Sequence, residues 1–463
     1  MQSSPHKKAA PTLWLKSPEG VFTGNAQQAG NGLLVQNSQI IELVKSGESP
    51  TLPFDAIENC TGKVIMPGMI NTHHHFYQTL TRCVPGALNK PLLPWLTFLY
   101  KVWKNLDEEM LYSATKLAGL ELMMSGCTTI GDHHYVFPTR LHHAIDVQVQ
   151  AIAELNCRAV LTRGSMSLGQ SKGGLPPDSV IQSEDSILAD SQRVIDAYHQ
   201  STGSHANPML QIALAPCSPF SVSKELMLQT ARLAEKNDVL LHTHLAETED
   251  ENAFCQRIYG ARPLDYLEQC GWLNDRTWLA HGIHFTPEEI GRLGNAKVGI
   301  AHCPTSNMLL ASGICPTLDL VNAGCRVGLG VDGSASNDCS NMAQEVRQSL
   351  LQQRLRYGAS DITAEYALGL ATTGSASLLN RHDIGEIAVD KQADLAVFDL
   401  NALRFSGAGD PVAALVTCGA HTVDKLMIAG KWVIEDAKHY AIDDNALAIE
   451  HQKLAKKLQS SAI

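Results

Sequence analysis

The 463-residue chain lacks several features that define specialised classes of protein. No stretch approaches the ~18 consecutive apolar residues of a membrane span, and no apolar segment follows Met1 to Lys8 as a secretory signal requires. Basic clusters are also missing, since Lys7-Lys8 and Lys456-Lys457 are the longest basic runs. The formal net charge of −11 does not suit a nucleic-acid backbone, which calls for clustered Lys and Arg. We therefore expect neither a membrane nor a nucleic acid as partner.

Paired cysteine spacing is absent too. The chain has 12 cysteines but no Cys-x-x-Cys motif, and Cys127, Cys157 and Cys303 lie in apolar runs. A reduced cysteine behaves there as a small hydrophobic residue, so we predict a cytoplasmic protein. With 44% hydrophobic and 18% charged residues, the composition is that of an ordinary globular protein with one large domain and an appendage, or with two or three domains. Association into homo-oligomers is left open.

A run of three histidines, His73 to His75, follows the apolar segment 64–66 and a Pro67-Gly68 break. In an extended strand the side chains alternate, so His73 and His75 point to one face and His74 to the other. Two imidazoles on one face at a strand end can take two positions on a single metal ion. The alternative is three polar residues in a loop, and the later strands decide between the two.

Short apolar segments that end in polar residues then alternate with helix-like segments. Eight such strands are predicted, at 64–72, 127–134, 158–163, 210–217, 239–244, 278–281, 298–302 and 327–332. Helices are predicted between them, at 108–124 after a capping Asp107, 223–237, 287–293 and 314–323. This α/β pattern predicts a (β/α)8 TIM barrel, whose catalytic groups lie at the carboxyl ends of the strands. An open doubly wound sheet is disfavoured because no Gly-x-Gly-x-x-Gly follows the first strand.

Both ends of the chain carry short β-like segments, such as 32–36 and 39–44 before the barrel and 393–399 after it. We predict a small β-sandwich domain built from residues 1–66 plus 384–463, with a helix at 445–458, and a barrel domain over 67–383. The Gly- and Pro-rich segment 169–177 is expected to form an active-site loop over the barrel mouth.

Five ordered motifs carry a resemblance to a known family. They are Met66-Pro-Gly-Met-Ile-Asn-Thr-His73-His-His75, His242-Thr-His244-Leu-Ala-Glu247, Ala280-His281, Ala301-His302-Cys-Pro-Thr-Ser-Asn307 and Gly330-Val-Asp332-Gly-Ser-Ala-Ser-Asn337. Together they resemble the amidohydrolase superfamily over nearly the whole chain, and within it the mononuclear metal-dependent aminohydrolases. Asp390 departs from the family, which usually has glycine there, and affects only a turn of the small sheet.

The resemblance implies one divalent metal bound by four residues and completed by water. The implied ligands are His73, His75, His244 and Asp332. Imidazole nitrogen and carboxylate oxygen suit zinc, although Fe2+ tolerates the same ligands. His242 shares a strand face with His244, and only the family spacing, with glutamate three residues after the ligand, selects His244. The alternative is a set of barrel-rim polar residues held by hydrogen bonds.

A second metal is not expected. Binuclear relatives carry a bridging carboxylated lysine at the end of the fourth strand, where this chain has Ala215-Pro216-Cys217-Ser218.

The resemblance also implies hydrolytic deamination of a heterocycle. Glu247 would protonate the ring nitrogen under attack, while His281 and Asp332 would orient water and shuttle its proton; capping of the next helix is the alternative role of Glu247. Segments 71–82, 163–177 and 216–221 resemble those of family members that act on purines or pterins. The resemblance implies such a substrate, first of all 8-oxoguanine, with removal of its 2-amino group. The alternative substrates are isoxanthopterin, guanine and an s-triazine. The alternative class of protein is a non-catalytic binding protein on the same scaffold.

Five residues are predicted to contact the substrate. The amide of Gln78 can offer a donor and an acceptor to a purine edge. Arg163, at the end of the third strand, can donate to the O6 oxygen or to an anionic ring. Cys217 is a candidate for recognising the 8-oxo edge, with simple packing as its alternative. His302 and Asn307, in the family motif, are expected to face the ligand.

Overall fold

The computed structural model describes residues 11–202 and 207–460. Its strands are β1 (Leu13–Lys16), β2 (Gly20–Val21), β3 (Gly32–Gln36), β4 (Gln39–Leu43), β5 (Ala56–Asn59), β6 (Lys63–Pro67), β7 (Met69–Asn71), β8 (Cys127–His134), β9 (Arg158–Ser165), β10 (Leu210–Pro216), β11 (Leu241–Leu245), β12 (Thr277–His281), β13 (Gly299–His302), β14 (Arg326–Leu329), β15 (Leu395–Asp399), β16 (Lys425–Ile428), β17 (Lys431–Glu435) and β18 (Lys438–His439).

The α-helices are α1 (Leu92–Trp103), α2 (Glu108–Met124), α3 (Ala144–Leu155), α4 (Glu184–Tyr198), α5 (Lys224–Asn237), α6 (Glu249–Tyr259), α7 (Pro263–Gln269), α8 (Pro287–Asn295), α9 (Pro304–Leu309), α10 (Thr317–Ala323), α11 (Met342–Tyr357), α12 (Ala364–Gly369), α13 (Ser375–Leu378), α14 (Pro411–Ala414) and α15 (Asp444–Ser460). Within the described ranges, none of them combines the length and apolarity needed to cross a bilayer.

Strands β7 to β14 form one sheet in which each strand pairs with its neighbours in the sequence. The pairs are parallel throughout. The first and last strands meet as well, because the backbone N–H of Thr72 donates to the carbonyl of Leu329 and that of Asp332 donates to the carbonyl of His73, both at 3.0 Å. The predicted (β/α)8 barrel is confirmed.

The segment 64–72, predicted as one strand, is divided between two sheets. Strand β6 pairs antiparallel with β15 outside the barrel, whereas β7 pairs with β8 inside it. The division falls at the Pro67-Gly68 break, where a Cβ on Gly68 would lie 2.2 Å from the side chain of Thr128. Only glycine allows so close an approach, and the prediction of a single strand was wrong at this point.

The two chain ends form two further sheets. One has the order β4-β3-β1-β5, and the other has the order β18-β17-β16-β15-β6-β2, which mixes strands from both ends of the chain. Apolar residues of the first sheet, Leu15 and Leu33, share a buried cluster with Ile65, Leu395 and Met427 of the second. The small β-sandwich drawn from both ends is thus present, while the domain limits 1–66 plus 384–463 and 67–383 stay a prediction.

Local sequence signals predicted the positions of several helices correctly. Helix α2 begins after Asp107, whose side chain accepts from the N–H of Met110 at 3.0 Å.

Between β9 and β10, the structure adds α4, which was not predicted. The segment 169–177 packs against the chain next to Phe220, since the N–H of Leu175 donates to the Phe220 carbonyl at 3.0 Å. Part of the predicted connection, residues 203–206, lies outside the described residues.

Candidate metal centre and active site

Four side chains converge at the carboxyl end of the barrel. The Nε2 atoms of His73 and His75, just after β7, each lie 3.3 Å from Oδ1 of Asp332, just after β14. Nε2 of His244, in β11, lies 3.2 Å from Nε2 of His75. Ligand atoms bound tetrahedrally at about 2.0–2.1 Å from an ion are roughly 3.4 Å apart. These three separations are compatible with donors to a shared divalent metal ion.

The remaining nitrogens of two histidines are held by backbone carbonyls. Nδ1 of His75 donates to the carbonyl of His133 at 2.7 Å, and Nδ1 of His244 donates to that of Cys217 at 2.6 Å. Because each ring is thereby protonated at Nδ1, its Nε2 lone pair is directed at the centre. Burial lowers the pKa of His244 to about 3, which keeps this ring neutral and able to bind metal.

His73 is oriented through a second histidine. Nδ1 of His242 lies 2.9 Å from the carbonyl of Trp278, which can only accept, so His242 is protonated at Nδ1. Its Nε2 must then accept from Nδ1 of His73, 2.7 Å away. Nε2 of His73 is left with its lone pair, is buried, and has no hydrogen-bond partner among the described residues. His242 thus lies behind His73, on the side away from the centre.

Asp332 is held as a carboxylate. Its backbone adopts the left-handed region, with φ of 63°, which a non-glycine residue rarely does outside functional sites. Oδ2 accepts from the hydroxyl of Ser306 at 2.6 Å and from that of Ser336 at 3.3 Å. Burial alone would raise the pKa of Asp332, but the adjacent His73 and His75 bring it well below the usual value.

Two further ionisable groups lie beside the centre. Nε2 of His281 is 3.5 Å from Oε2 of Glu247 and 3.9 Å from Oδ2 of Asp332. Nδ1 of His281 donates to Oδ1 of Asn307 at 2.9 Å, so in the neutral ring Nε2 is the free acceptor. Burial raises the pKa of Glu247, although the nearby His281 opposes the shift. The pair places a carboxyl group of raised pKa beside an imidazole whose Nε2 carries a lone pair in the neutral ring.

The alternative role of Glu247 as a helix cap finds no support in its position. The residue immediately before α6 is Thr248, whose side chain makes no cap hydrogen bond within the described part of the chain. The carboxyl of Glu247 instead faces His281 and the cavity.

A cavity of about 550 Å³, counted to its open mouth, lies against these groups. Its apolar wall is made by Leu92, Trp95, Leu96, Tyr100, Tyr135, Phe220 and Leu310. Its polar groups away from the four converging side chains are those of Gln78, Cys217, Ser218, Glu247, Glu251, His281 and Ser336. An apolar, aromatic wall with a few polar groups is typical of sites for small flat ligands.

Two of the predicted substrate-contact residues, Gln78 and Cys217, line this cavity. Oε1 of Gln78 accepts from the N–H of Ala335 at 3.3 Å. Nε2 of Gln78 is buried without a hydrogen-bond partner in the described part of the chain. The amide donor of Gln78 is therefore available to a ligand.

The other three do not line it. The guanidinium of Arg163 donates to Asp190 at 2.8 Å and to Gln182 at 2.9 Å, so the structure gives no support to its predicted substrate contact. His302 is buried next to Gln353, with their Nε2 atoms 3.3 Å apart. Asn307 acts on His281 rather than on the cavity. Sequence position places Arg163 and His302 near strand ends and Asn307 in α9, but it does not determine which way each side chain turns.

Several residues at the site were not predicted. Ser306 and Ser336 bind Asp332 and stand in two of the family motifs, where their hydroxyl groups were the available signal. His133 offers a candidate ligand atom within 4.8 Å of those of the other histidines. Its Nε2 donates to the carbonyl of Ala215 at 2.9 Å, which leaves Nδ1 with its lone pair and without a hydrogen-bond partner among the described residues. Glu251, four residues after Glu247, belongs to the acidic run 249–251, which resembles an ordinary solvated helix start.

Comparison with known proteins shows which family has a similar sequence. The sequence profile of the amidohydrolase family matches residues 64–433. The 8-oxoguanine deaminase of Pseudomonas aeruginosa is 55% identical over 445 residues, covering 96% of this chain and 98% of that protein. The isoxanthopterin deaminase of an unknown prokaryotic organism is 32% identical over 426 residues, or 88% of each chain.

A solved structure agrees with these relatives. The atrazine chlorohydrolase of Arthrobacter aurescens, complexed with zinc, superposes with a TM-score of 0.88 at 27% identity, over 96% of this chain and all of that one. The profile match, the identities and the shared fold have one explanation. The chain is a member of the amidohydrolase family.

Proposed function

We propose that this amidohydrolase removes the 2-amino group of 8-oxoguanine by hydrolysis, giving urate and ammonia. The observation that carries the proposal is the 55% identity to the 8-oxoguanine deaminase of Pseudomonas aeruginosa over 96% of this chain. In the reaction, the oxygen of water forms a bond to C2, the bond from C2 to the exocyclic nitrogen breaks, and that nitrogen leaves as ammonia.

The proposed metal ligands are His73, His75, His244 and Asp332, and zinc is the proposed metal. The histidine and carboxylate donors suit Zn2+, and the zinc-bound atrazine chlorohydrolase supports the choice. A divalent metal bound there would lower the pKa of a coordinated water toward about 7 and so would supply a nucleophile at neutral pH.

The residues of the chain supply the proton transfers. Glu247, whose pKa burial raises, is the proposed donor of a proton to the ring nitrogen next to C2. His281, whose Nε2 is the free acceptor, and the carboxylate of Asp332 orient the water and take its proton. The 3.5 Å separation of His281 and Glu247 allows the proton to pass on to the departing amine.

The substrate is proposed to lie with C2 at the metal side and its ring against the aromatic wall. The unpartnered Nε2 of Gln78 then donates to an acceptor on the edge of the six-membered ring. Because Gln78 is buried, a hydrogen bond from its amide discriminates strongly against analogues that lack the partner.

Isoxanthopterin is the second candidate substrate. The 32% identity to an isoxanthopterin deaminase over 88% of the chain favours it. A pterin presents an aminated pyrimidine ring similar to that of a purine.

Steady-state kinetics of ammonia release tests the proposal. With metal-loaded enzyme, kcat/KM for 8-oxoguanine should exceed the values for guanine and isoxanthopterin by at least about tenfold, as expected when a buried polar group loses its partner. Faster turnover of either analogue would contradict the substrate assignment while leaving the deaminase class intact. No ammonia from any of the three would contradict both.

The proposed location of the protein is the cytoplasm. The cysteines of the described residues are free, which accords with a reducing cytoplasm. The partner is a small purine or pterin, and association of like chains stays open.

A further inference from the structure

Glu251 lies in α6, four residues beyond Glu247, and is one of the residues that line the cavity. Its side chain is only 2% exposed. Helix α6 also buries Phe254 and Cys255, which form an apolar cluster with Phe220 of the cavity wall. A carboxyl group in such surroundings requires a specific reason to be there, since its burial opposes folding unless it is hydrogen-bonded.

The two carboxyl oxygens of Glu251 are used differently. Oε2 accepts from the backbone N–H of Glu247 at 3.2 Å and so helps to hold that residue in place. Oε1 is buried and has no hydrogen-bond partner among the described residues. Buried polar atoms are paired in the great majority of cases, and an unpaired one at a cavity wall points to a ligand.

We propose that Oε1 of Glu251 hydrogen-bonds the C8 oxygen of the substrate and that Glu251 is a specificity-determining residue for 8-oxoguanine. The inference rests on the proposed function. With C2 at the metal side and the adjacent ring nitrogen at Glu247, the five-membered ring extends away from the metal along the same wall. Glu251, in the first turn of α6, lines the same cavity as Glu247, which precedes the helix, and the N–H of Glu247 donates to its Oε2.

The protonation of Glu251 agrees with this role. A C8 oxygen only accepts, so the carboxyl must be neutral and donate from Oε1 while Oε2, as its carbonyl oxygen, accepts from Glu247. Burial raises the pKa of Glu251 to about 8, so the neutral form predominates at pH 7. Guanine has no oxygen at C8 and would leave this donor unpaired.

Two substitutions separate recognition of the substrate from simple support of Glu247. Glu251→Gln keeps a carbonyl oxygen for the Glu247 N–H and an N–H₂ donor for the substrate. Glu251→Met keeps the length of the side chain but removes both groups. Glu249→Gln, at a side chain that is 74% exposed, is the matched control. Each metal-loaded protein is assayed with 8-oxoguanine and with guanine, and its metal content and thermal unfolding are measured alongside.

We expect Glu251→Gln to keep kcat/KM for 8-oxoguanine within about threefold of the wild type, with its preference over guanine intact. Glu251→Met should lower kcat/KM for 8-oxoguanine by about 10- to 100-fold and lower that for guanine much less, so the preference collapses. Glu249→Gln should change neither value.

Equal losses on both substrates in Glu251→Met would show that Glu251 only supports Glu247 and would overturn the inference. If Glu251→Met does not fold, loss of the 8-oxoguanine preference in folded Glu251→Gln would overturn it equally, and a retained preference would support it. A wild-type chain that does not turn over 8-oxoguanine overturns the proposed function itself, whereas an active wild type with unchanged preference in Glu251→Met overturns only the role of Glu251.

Discussion

At the scale of single residues, the site is a set of histidines whose tautomers are fixed by acceptors outside the metal centre. His75 and His244 donate an imidazole N–H to the carbonyls of His133 and Cys217. His73 is held indirectly, because it donates to His242, which in turn donates to the carbonyl of Trp278. The lone pairs that remain face one another at distances that suit a bound ion. Metal sites depend on such outer hydrogen bonds nearly as much as on the ligands themselves.

Replacing Glu247 with glutamine tests its role as proton carrier. Glu247→Gln removes an ionisable group but none of the proposed ligands, so the protein should retain its metal and lose kcat by about 10²-fold or more. Metal content and ammonia release are measured on the same sample, with Glu249→Gln as the control. Activity close to that of the wild type, with metal bound, would mean that another group carries the proton.

Replacing His242 tests the orientation of His73. Phenylalanine preserves the stacking of this ring on Trp278, whose centroid is 4.2 Å away, but removes the acceptor for Nδ1 of His73. His242→Phe should weaken metal binding by about 10- to 100-fold, measured by competition with a chelator. His421→Phe, at an exposed histidine, is the control. Unchanged metal affinity in His242→Phe would contradict the orienting role.

At the residue level, backbone geometry can be inferred from sequence more readily than the direction of a side chain. Strand alternation placed His73 and His75 on one face, and the structure brings both to Asp332. The same kind of reasoning placed Arg163 at a strand end but did not reveal that Asp190, on a helix farther along the chain, would engage its guanidinium. An ion-pair partner from another element is not visible in local sequence.

At the scale of elements, the critical contact is the closure of the barrel between β7 and β14. Gly330, just after β14, leaves no room for a side chain, because a Cβ there would lie 2.7 Å from Cβ of His73. Gly330→Ala should displace His73, weaken metal binding by at least about tenfold and destabilise the fold by about 1–3 kcal/mol.

Metal titration and thermal unfolding of Gly330→Ala measure these two effects. Gly291→Ala is the control, since a Cβ at that helical glycine would have no heavy atom of the described residues within 4 Å apart from its chain neighbours and its own helix backbone. Wild-type metal affinity in Gly330→Ala would show that the strands can separate there without consequence for the site.

Element boundaries were predictable where a local signal exists. A capping side chain marked the start of α2 at Asp107 and of α5 at Ser223. The division of 64–72 into β6 and β7 was not predictable, because β6 is defined by pairing with β15, which lies at the other end of the sequence. The sequence of a strand gives only weak information about pairing with a distant segment.

At the scale of the whole molecule, buried acids should make stability depend on pH. Burial raises the pKa of Glu251 and of Glu345 to about 8 from an ordinary value of 4.5. The folded chain therefore holds more protons than the unfolded chain between these values, and its stability should fall as pH rises from about 5 to 8. The carboxyl of Glu247 and the thiol of Cys255 are the ionisable groups near Glu251.

Thermal unfolding of the metal-loaded wild type and of Glu251→Gln across this pH range checks the effect. The melting temperature of the wild type should decline more steeply between pH 5 and pH 8 than that of Glu251→Gln, because the variant has no carboxyl to ionise at this position. Parallel curves for the two proteins would mean that Glu251 does not titrate in this range.

The central claim is that one divalent metal in the His73, His75, His244 and Asp332 site supports deamination. Metal-free protein titrated with Zn2+ while ammonia release from 8-oxoguanine is followed tests it most directly. Activity should rise in proportion to added zinc and reach a plateau at about one equivalent per chain. A plateau at two equivalents, or full activity before any metal is added, would contradict the account.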